Sequence, residues 1–206
     1  MKGVSVMNYI ETIKQRRSIY QLSSSLNYSK EEITQLVKEI VVASPTAFNM
    51  QSSKVVLFFG NEHKKVWDIT TNILKVRIPE NKFASTQDKM EMFRNAAGTI
   101  LFFEDDNIVN HYKEQFPTYA TSFDMFAEHG LGILQGNIWN ALAEKGIGAN
   151  LQHYNPLIDD KVKRQWNVPN GWRLVSQMVF GKIEEVPEPK EKLPSRERVL
   201  VFGIEE

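Results

Sequence analysis

Cysteine is absent from the 206 residues. The chain therefore has no disulfide, no thiolate nucleophile and no cysteine-ligated metal, and a reducing, cytoplasmic setting is the expectation. An excess of either charge is also missing. Lys and Arg total 25 and Asp and Glu total 25, so nothing marks the chain for nucleic acid or an anionic membrane surface. The most apolar stretch is interrupted by Glu128, His129, Gln135, Asn137 and Asn140, which excludes a bilayer span. Met1 to Tyr9 lacks the apolar core of a signal peptide; Met7 as an alternative start and residues 1–6 as an extension are both open. No repeat or low-complexity tract is present. Several catalytic signatures are lacking too. There is no Gly-x-Ser-x-Gly elbow and no His-Glu-x-x-His, and the four histidines (63, 111, 129, 153) are scattered. Gly146-x-Gly148 is no dinucleotide fingerprint, because position 151 is Leu and the run follows a helix instead of opening one.

What is present is organised around one long apolar segment. Asp124 to Lys145 contains no proline and carries Met125, Phe126, Leu131, Ile133, Leu134, Ile138, Trp139 and Leu142 around nearly every face. It reads as a helix of about 33 Å, buried on all sides within a core or between subunits. Gly130, Gly132 and Gly136 cost helix propensity but admit close approach of another backbone, which points to helix-on-helix contact across a dimer axis. The rod stops at Gly146. Gly146 and Gly148 then permit unusual backbone angles or close approach of a ligand.

Elsewhere the pattern alternates helices with short buried strands. Asn8 to Arg17 reads as a helix. Ser29 and Glu32 form a capping box opening a helix with Ile33, Leu36, Val37, Ile40 and Val41 on one stripe, ended by Ser44 before Pro45. Lys54–Phe59, Thr99–Phe103 and Trp172–Phe180 read as buried strands, with a short one at Ala149–Leu151. Helices are expected over Glu62–Ile78, Thr86–Asn95, Asp106–Phe116 and Asp159–Trp166. Pro187, Pro189 and Pro194 among charges give residues 184–195 the character of an extended arm, with a last strand at Val199–Phe202. Few strands among many helices suggest a three-layer α/β/α arrangement, expected as one domain over 1–206, with 184–206 as an extension long enough to reach a neighbouring chain.

Two constellations are candidates for binding. Arg16 and Arg17 end the first helix, and Arg196 and Arg198 follow the arm. Such pairs suit a phosphate by bidentate hydrogen bonds or are plain surface charge. Residues 44–53, rich in hydroxyls and amides, suit a polyol and a heteroaromatic ring or are a turn with capping serines. Phe48, Phe116, Tyr119, Phe123 and Phe126 are either core or the roof of a pocket. His153 is either a hydrogen-bonded structural histidine or a proton donor.

Taken together, Arg16-Arg17-Ser18, the run from Ser44 to Gln51, the run Gly146 to Pro156 with its LQHYNP, and Arg196-Glu-Arg198 resemble the nitroreductase family over about Tyr9 to Phe202. More closely, they are similar to its branch of fungal and bacterial nitroreductase-like proteins linked to oxidative-stress and lipid-signalling roles. The resemblance implies an α+β fold of three layers, with a central mixed, mainly antiparallel sheet. It implies a long central helix at a dimer interface and a C-terminal arm reaching the partner. It implies an FMN enzyme taking electrons from NADH or NADPH and passing them to nitroaromatic or quinone-type acceptors by a ping-pong mechanism. The enzyme would be a homodimer with FMN at the interface, its reactive centre the flavin N5 and not a side chain. By the same resemblance, Arg16 and Ser18 approach the phosphate and ribityl chain, and Arg17 the pyrimidine edge or phosphate; Arg196 and Arg198 complete the phosphate site. Pro45, Thr46, Ala47, Asn49 and Gln51 come from the other subunit, Leu151, Gln152 and His153 lie along the isoalloxazine with a backbone N–H aimed at N5, and Lys89 is near the ring. Where the better-known branch has an acidic residue, this chain has His153. The alternative is a flavin-binding regulator or redox sensor with little turnover; a third reading is a module that binds no flavin.

Overall fold

The computed structural model describes residues 8–203. Met1 and Met7, and with them the question of the start, lie outside these residues. The organising strand is β5. Naming strands in chain order, β1 is Leu22–Ser23, β2 Ser53–Phe59, β3 Gly98–Asp105, β4 Ile147–Gln152 and β5 Trp172–Ile183. β5 pairs antiparallel with β1, β3 and β4, and β3 pairs antiparallel with β2. Among the described residues, the one parallel contact outside these ladders is the bridge Ser18 to Ala149.

Helices cover both faces. They are α1 Tyr9–Gln15, α2 Lys30–Ala43, α3 Gly60–Lys75, α4 Glu80–Arg94, α5 Asp106–Gln115, α6 Phe123–Glu144 and α7 Asp159–Trp166. Side chains alternate across a strand, and β3 shows it directly. Leu101 and Phe103 join Val66 and Trp67 of α3, Met90 and Phe93 of α4 and Val162 of α7. Ile100 and Phe102 join Ile33 and Val37 of α2 and Leu131, Leu134, Ile138 and Leu142 of α6. β3 is buried on both sides, which is why it reads as a continuous apolar run and not as an alternating one. A shift in register pairs Phe102 with Ser176 but Phe103 with Leu174. Val175 is thus an extra residue on β5, a bulge that returns Leu174 to the α3 face. The result is the expected α+β fold of three layers, a mainly antiparallel sheet between two layers of helices.

Several details differ from the sequence expectation. α3 stops at Lys75, three residues before Ile78, and α4 begins at Glu80, six residues before Thr86, with Pro79 as its N-cap and buried Phe83 as its first anchor. α6 has the expected length, but in the single chain only one stripe of it is covered: Met125 and Ile133 remain 50% and 44% exposed. The sheet can cover only one side of a rod. Val199–Phe202 forms no strand, and its side chains are exposed, Phe202 at 89%. A strand needs a ladder partner, and no described residue supplies one. Gly146 does sit at positive φ, +70°. Gly148 admits protein and not a ligand, since a Cβ there would lie 2.7 Å from Leu22 Cδ2 and 2.8 Å from Ile183 Cγ1.

Candidate functional site

The first part of the site is built where α1 runs into β4. The Asn8 side chain caps α1 by accepting from the Ile10 N–H at 3.0 Å. Arg16 leaves the helix in extended conformation. From there the chain is pinned to β4: Ser18 bridges to Ala149, Ile19 N–H donates to Ala149 O at 2.9 Å, and Asn150 Nδ2 donates to Ile19 O at 2.8 Å. The Arg16 guanidinium lies over the Trp139 ring of α6, 4.3 Å from its centroid. Burial, and then the charge of Arg17, lower its pKa, yet a guanidinium keeps its proton under such perturbation.

Arg16, Arg17 and Ser18 open onto a cleft of about 530 Å³ whose far wall is the arm, through Pro187, Pro189, Lys190 and Lys192; Lys14 and Tyr20 complete it. None of these lining side chains is acidic. A cleft of one sign concentrates anions, and a phosphate monoester is the anion that guanidinium, ammonium and hydroxyl groups together suit.

The second part is a cavity of about 360 Å³ under the loop that joins α2 to β2. Ser44, Thr46, Asn49, Gln51, Ser53 and Lys54 supply its polar lining, and Val41, Val55, Gly130 and Leu134 its apolar one. The capping box holds α2 at its start: Ser29 N–H donates to Glu32 Oε2 at 2.7 Å, and Glu32 N–H to Ser29 Oγ at 3.1 Å. At the other end α6 cradles the loop. Asn137 Nδ2 donates to Ser44 Oγ at 3.0 Å, and a Cβ on Gly130 would lie 3.2 Å from Thr46 Cγ2. Phe48, Asn49 and Gln51 all have positive φ, between 52° and 55°. Three non-glycine residues in that region within four positions amount to stored strain. The strain is held by Gln51 N–H on Thr46 Oγ1 at 3.0 Å, by buried Met50, and by the Phe48 ring among Phe116, Tyr119, Phe123 and Phe126. Those aromatics are thus partly core and partly surface: Phe123 is buried, while Phe48 and Tyr119 are exposed.

Beside this cavity, Glu104 is fully buried at the end of β3. Its Oε1 accepts from Ser53 Oγ at 2.8 Å, and its Oε2 has no partner among the described residues. Burial raises its pKa, against the lowering influence of Ser52, Ser53 and Arg173.

The third part is the end of β4. Gln152 is buried and donates to Asn150 Oδ1 at 2.8 Å, and Leu151 is half-buried. The Tyr154 N–H is taken by Gln177 Oε1 at 2.7 Å. The His153 N–H has no hydrogen-bond partner among the described residues, and the His153 side chain is exposed. Tyr154 stands edge-on to Trp67, and its hydroxyl is pushed up to about 12, by burial first and then by Tyr20. Lys89 reaches the same corner: its ammonium lies 5.5 Å from the Phe93 centroid, and Phe93 is 6.3 Å from Tyr20 of the cleft.

Residues 13–182 match the profile of the nitroreductase family. The chain belongs to that family. It is 36% identical over 201 residues to HBN1 of Saccharomyces cerevisiae, an alignment covering 97% of this chain and 99% of that protein. Nitroreductase CinD from Lactococcus lactis, solved in complex with chloramphenicol, is 41% identical and superposes with a TM-score of 0.87, covering 95% of this chain and 100% of that one. A structure of CinD in complex with 4-nitrophenol gives 0.86. A nitroreductase with bound FMN from Desulfitobacterium hafniense, 18% identical, shares the fold at a TM-score of 0.68 over 96% of this chain and 100% of that one.

In this nitroreductase-family chain the expected site residues fall into groups. Arg16, Arg17 and Ser18 share the cationic cleft, and Leu151, Gln152 and His153 continue from the strand to which that segment is pinned. Thr46, Asn49 and Gln51 line the second cavity, whereas Pro45 and Ala47 belong to its loop without lining it. Arg196 and Arg198 are exposed on a short 3-10 turn and line neither cavity. Lys14, Tyr20, Lys190 and Lys192 of the cleft, and buried Gln177, were not anticipated. For Gln177 a weak signal existed, an amide next to Ser176 in the middle of a mainly apolar strand. For the arm lysines there was none, because only the folded arm brings them to Arg16.

Proposed function

We propose that this protein is an FMN-dependent reductase that takes electrons from NADH or NADPH and delivers them to nitroaromatic or quinone-type acceptors by a ping-pong mechanism. It acts as a homodimer with a flavin at the interface. One observation carries the reading. Arg16 and Arg17 of the cationic cleft run on to Ser18 and Ile19, which are held to Ala149 of β4, and the unpaired His153 N–H follows at the end of that strand.

The residues present suit such a cofactor. Arg16 and Ser18 offer charge-assisted and neutral donors to a phosphate ester. Half-buried Leu151 offers an apolar contact for the ring, with buried Gln152 supporting it from behind, and the His153 N–H offers a donor to it. Lys89 supplies a positive charge at the same corner, where it would favour a reduced, anionic ring. When bound, FMN supplies the redox chemistry, accepting hydride at N5 and passing electrons on. The chain's own work is then to bind, orient and exclude water, which accounts for a site with no acid–base dyad. Donor and acceptor would use the same open face in turn.

The dimer part of the reading is supported by apolar surface left exposed on α1 and α6, at Tyr9, Ile10, Met125 and Ile133, and by the exposed run Val199–Phe202. In the dimer, Thr46, Asn49 and Gln51 would reach the partner's flavin with their hydroxyl and amide groups. The chloramphenicol and 4-nitrophenol bound to CinD favour aromatic acceptors here. The test is anaerobic addition of NADH or NADPH to the FMN-loaded protein. Bleaching of the yellow band within minutes, and recovery on adding 4-nitrophenol or a quinone, are expected. A band that persists with both donors refutes the reductase reading, and a chain that binds no FMN refutes the flavin reading altogether.

A further inference from the structure

Three amides are buried where β4 meets β5. Asn150, Gln152 and Gln177 are 0%, 7% and 0% exposed. Gln152 and Gln177 stand directly opposite each other, and Val179, opposite Asn150, belongs to the apolar cluster that holds Trp67. Buried amides are costly without partners, so the course of their hydrogen bonds is informative. Asn150 Nδ2 donates to Ile19 O at 2.8 Å, and Gln152 Nε2 donates to Asn150 Oδ1 at 2.8 Å. Gln177 Oε1 accepts the Tyr154 N–H at 2.7 Å, while its Nε2 has no acceptor among the described residues. The Gln177 bond differs in kind from a ladder bond, because a side chain of β5 stands where a backbone carbonyl would. β4 and β5 pair as far as Gln152 and Gln177 and no further.

The backbone of a paired strand turns its N–H and C=O groups alternately toward one neighbour and the other. Ala149 O accepts from the Ile19 N–H, so the backbone groups of Ala149, and by alternation those of Leu151 and His153, turn away from β5. Those of Asn150, Gln152 and Tyr154 turn toward it. Gln177 takes the Tyr154 N–H on that side, and the His153 N–H is left on the other with no partner among the described residues. We propose that Gln177 is a positioning residue: by taking the Tyr154 N–H onto its side chain it ends the β4–β5 ladder and holds the His153 N–H in the direction of the flavin ring. The proposal rests on the flavin reading for what that N–H meets; the turn at Tyr154 does not. Without the acceptor, the Tyr154 N–H has to find a β5 carbonyl or water. Either choice rotates the peptide between residues 153 and 154 and moves the donor at 153 with it. A donor aimed at N5 favours the oxidised ring, in which N5 is an acceptor, so misplacing it raises the midpoint potential.

The experiment uses the full chain, FMN-loaded and flavin-free, with two variants. Gln177→Met keeps the length of the side chain and removes the acceptor; Gln177→Glu keeps an acceptor. Hydrogen exchange of the Tyr154 amide reports on the turn, and the two-electron midpoint potential of the bound flavin reports on the donor. Exchange at Tyr154 should be about tenfold faster in Gln177→Met, the upper scale of one neutral hydrogen bond, with the amides of β3 unchanged. Gln177→Glu should exchange at the parent rate. The potential of Gln177→Met should rise by about 30 mV, equivalent to a tenfold change in the equilibrium constant of a two-electron couple, and that of Gln177→Glu should not rise. Gln177→Asn, one methylene shorter and too short to reach Tyr154, carries the same expectations as Gln177→Met and replaces it if that chain does not fold. Unchanged exchange at Tyr154 overturns the proposal. So does faster exchange with an unchanged potential, because the turn then has no bearing on the ring. An equal rise in the Met and Glu variants overturns it too, since a general disturbance of packing would act in both. A parent chain that binds no FMN refutes the flavin reading and the ring half of this proposal with it, while exchange still decides whether Gln177 holds the turn.

Discussion

His63 allows a stability prediction with a definite sign and window. It is 1% exposed on α3, and both ring nitrogens are engaged: Nδ1 lies 2.8 Å from Thr99 Oγ1 and Nε2 lies 3.2 Å from Arg94 O. The Trp67 indole N–H already donates to Thr99 Oγ1 at 2.9 Å. Thr99 therefore has its own proton to give to Nδ1, and Nε2–H donates to the Arg94 carbonyl, which fixes a neutral tautomer. A second ring proton would meet the threonine hydrogen head-on. Burial is the main cause that takes the His63 pKa from 6.5 to about 4, with Lys64 and Arg94 adding to it and the backbone of residues 93 and 94 opposing. Because the folded value lies below the unfolded one, the unfolded chain takes the proton first. The group is neutral in both states above about pH 6.5 and progressively destabilises the fold as pH falls toward 4. At about 1.36 kcal/mol per unit, the loss is about 2 kcal/mol by pH 5 and about 3 kcal/mol once the folded form also protonates. Glu104 and Asp159, whose pKa values are raised by burial, act in the opposite direction over part of the range. The assay is therefore a difference: urea midpoints of the parent and of His63→Gln from pH 7.5 to 4.5. The parent should lose about 2 kcal/mol more than the variant between pH 7 and 5. Parallel curves would refute the assignment of a buried neutral imidazole.

Other expectations follow from the same geometry. Gly148→Ala would place a Cβ within 2.8 Å of both Leu22 and Ile183. It should lower stability by about 1–3 kcal/mol, the usual range for overpacking, and urea titration measures it; no loss would mean that β1 is free to move away. Met125→Glu together with Ile133→Glu puts charge on apolar surface that the single chain leaves open. Circular dichroism should be unchanged, and sedimentation should report a shift from dimer to monomer; a dimer of undiminished strength would place the interface elsewhere. Trp139→Ala removes the ring beneath Arg16 and should weaken FMN binding several-fold through loss of a contact worth about 0.5–2 kcal/mol, as read by fluorescence titration.

Much of the fold was legible because its signals are local. The capping box at Ser29 and Glu32, the prolines at 45, 79 and 117 and the apolar runs of β2, β3 and β5 depend on a few neighbouring residues each, and each marks an element of the structure. The family resemblance was legible for a related reason: Arg16 to Ser18, Ser44 to Gln51 and Leu151 to Asn155 are short runs whose order survives in the linear chain. What failed required a distant partner. Gly148 read as a place for unusual backbone angles or for close approach of a ligand, yet what comes close is protein, Leu22 and Ile183 from far along the chain. Val199–Phe202 has a strand's composition but no ladder to join among the described residues of the single chain.

The sequence by itself determined where most of the helices and the long strands lie, the three-layer class and the family, because periodicity, capping and motif order are written between near neighbours. Only the tertiary structure decided which cations share a cleft and which one holds the arm. Arg17 and Pro187 stand 170 positions apart, and their contact exists because the turn out of α1 and the end of β5 are brought together by the sheet.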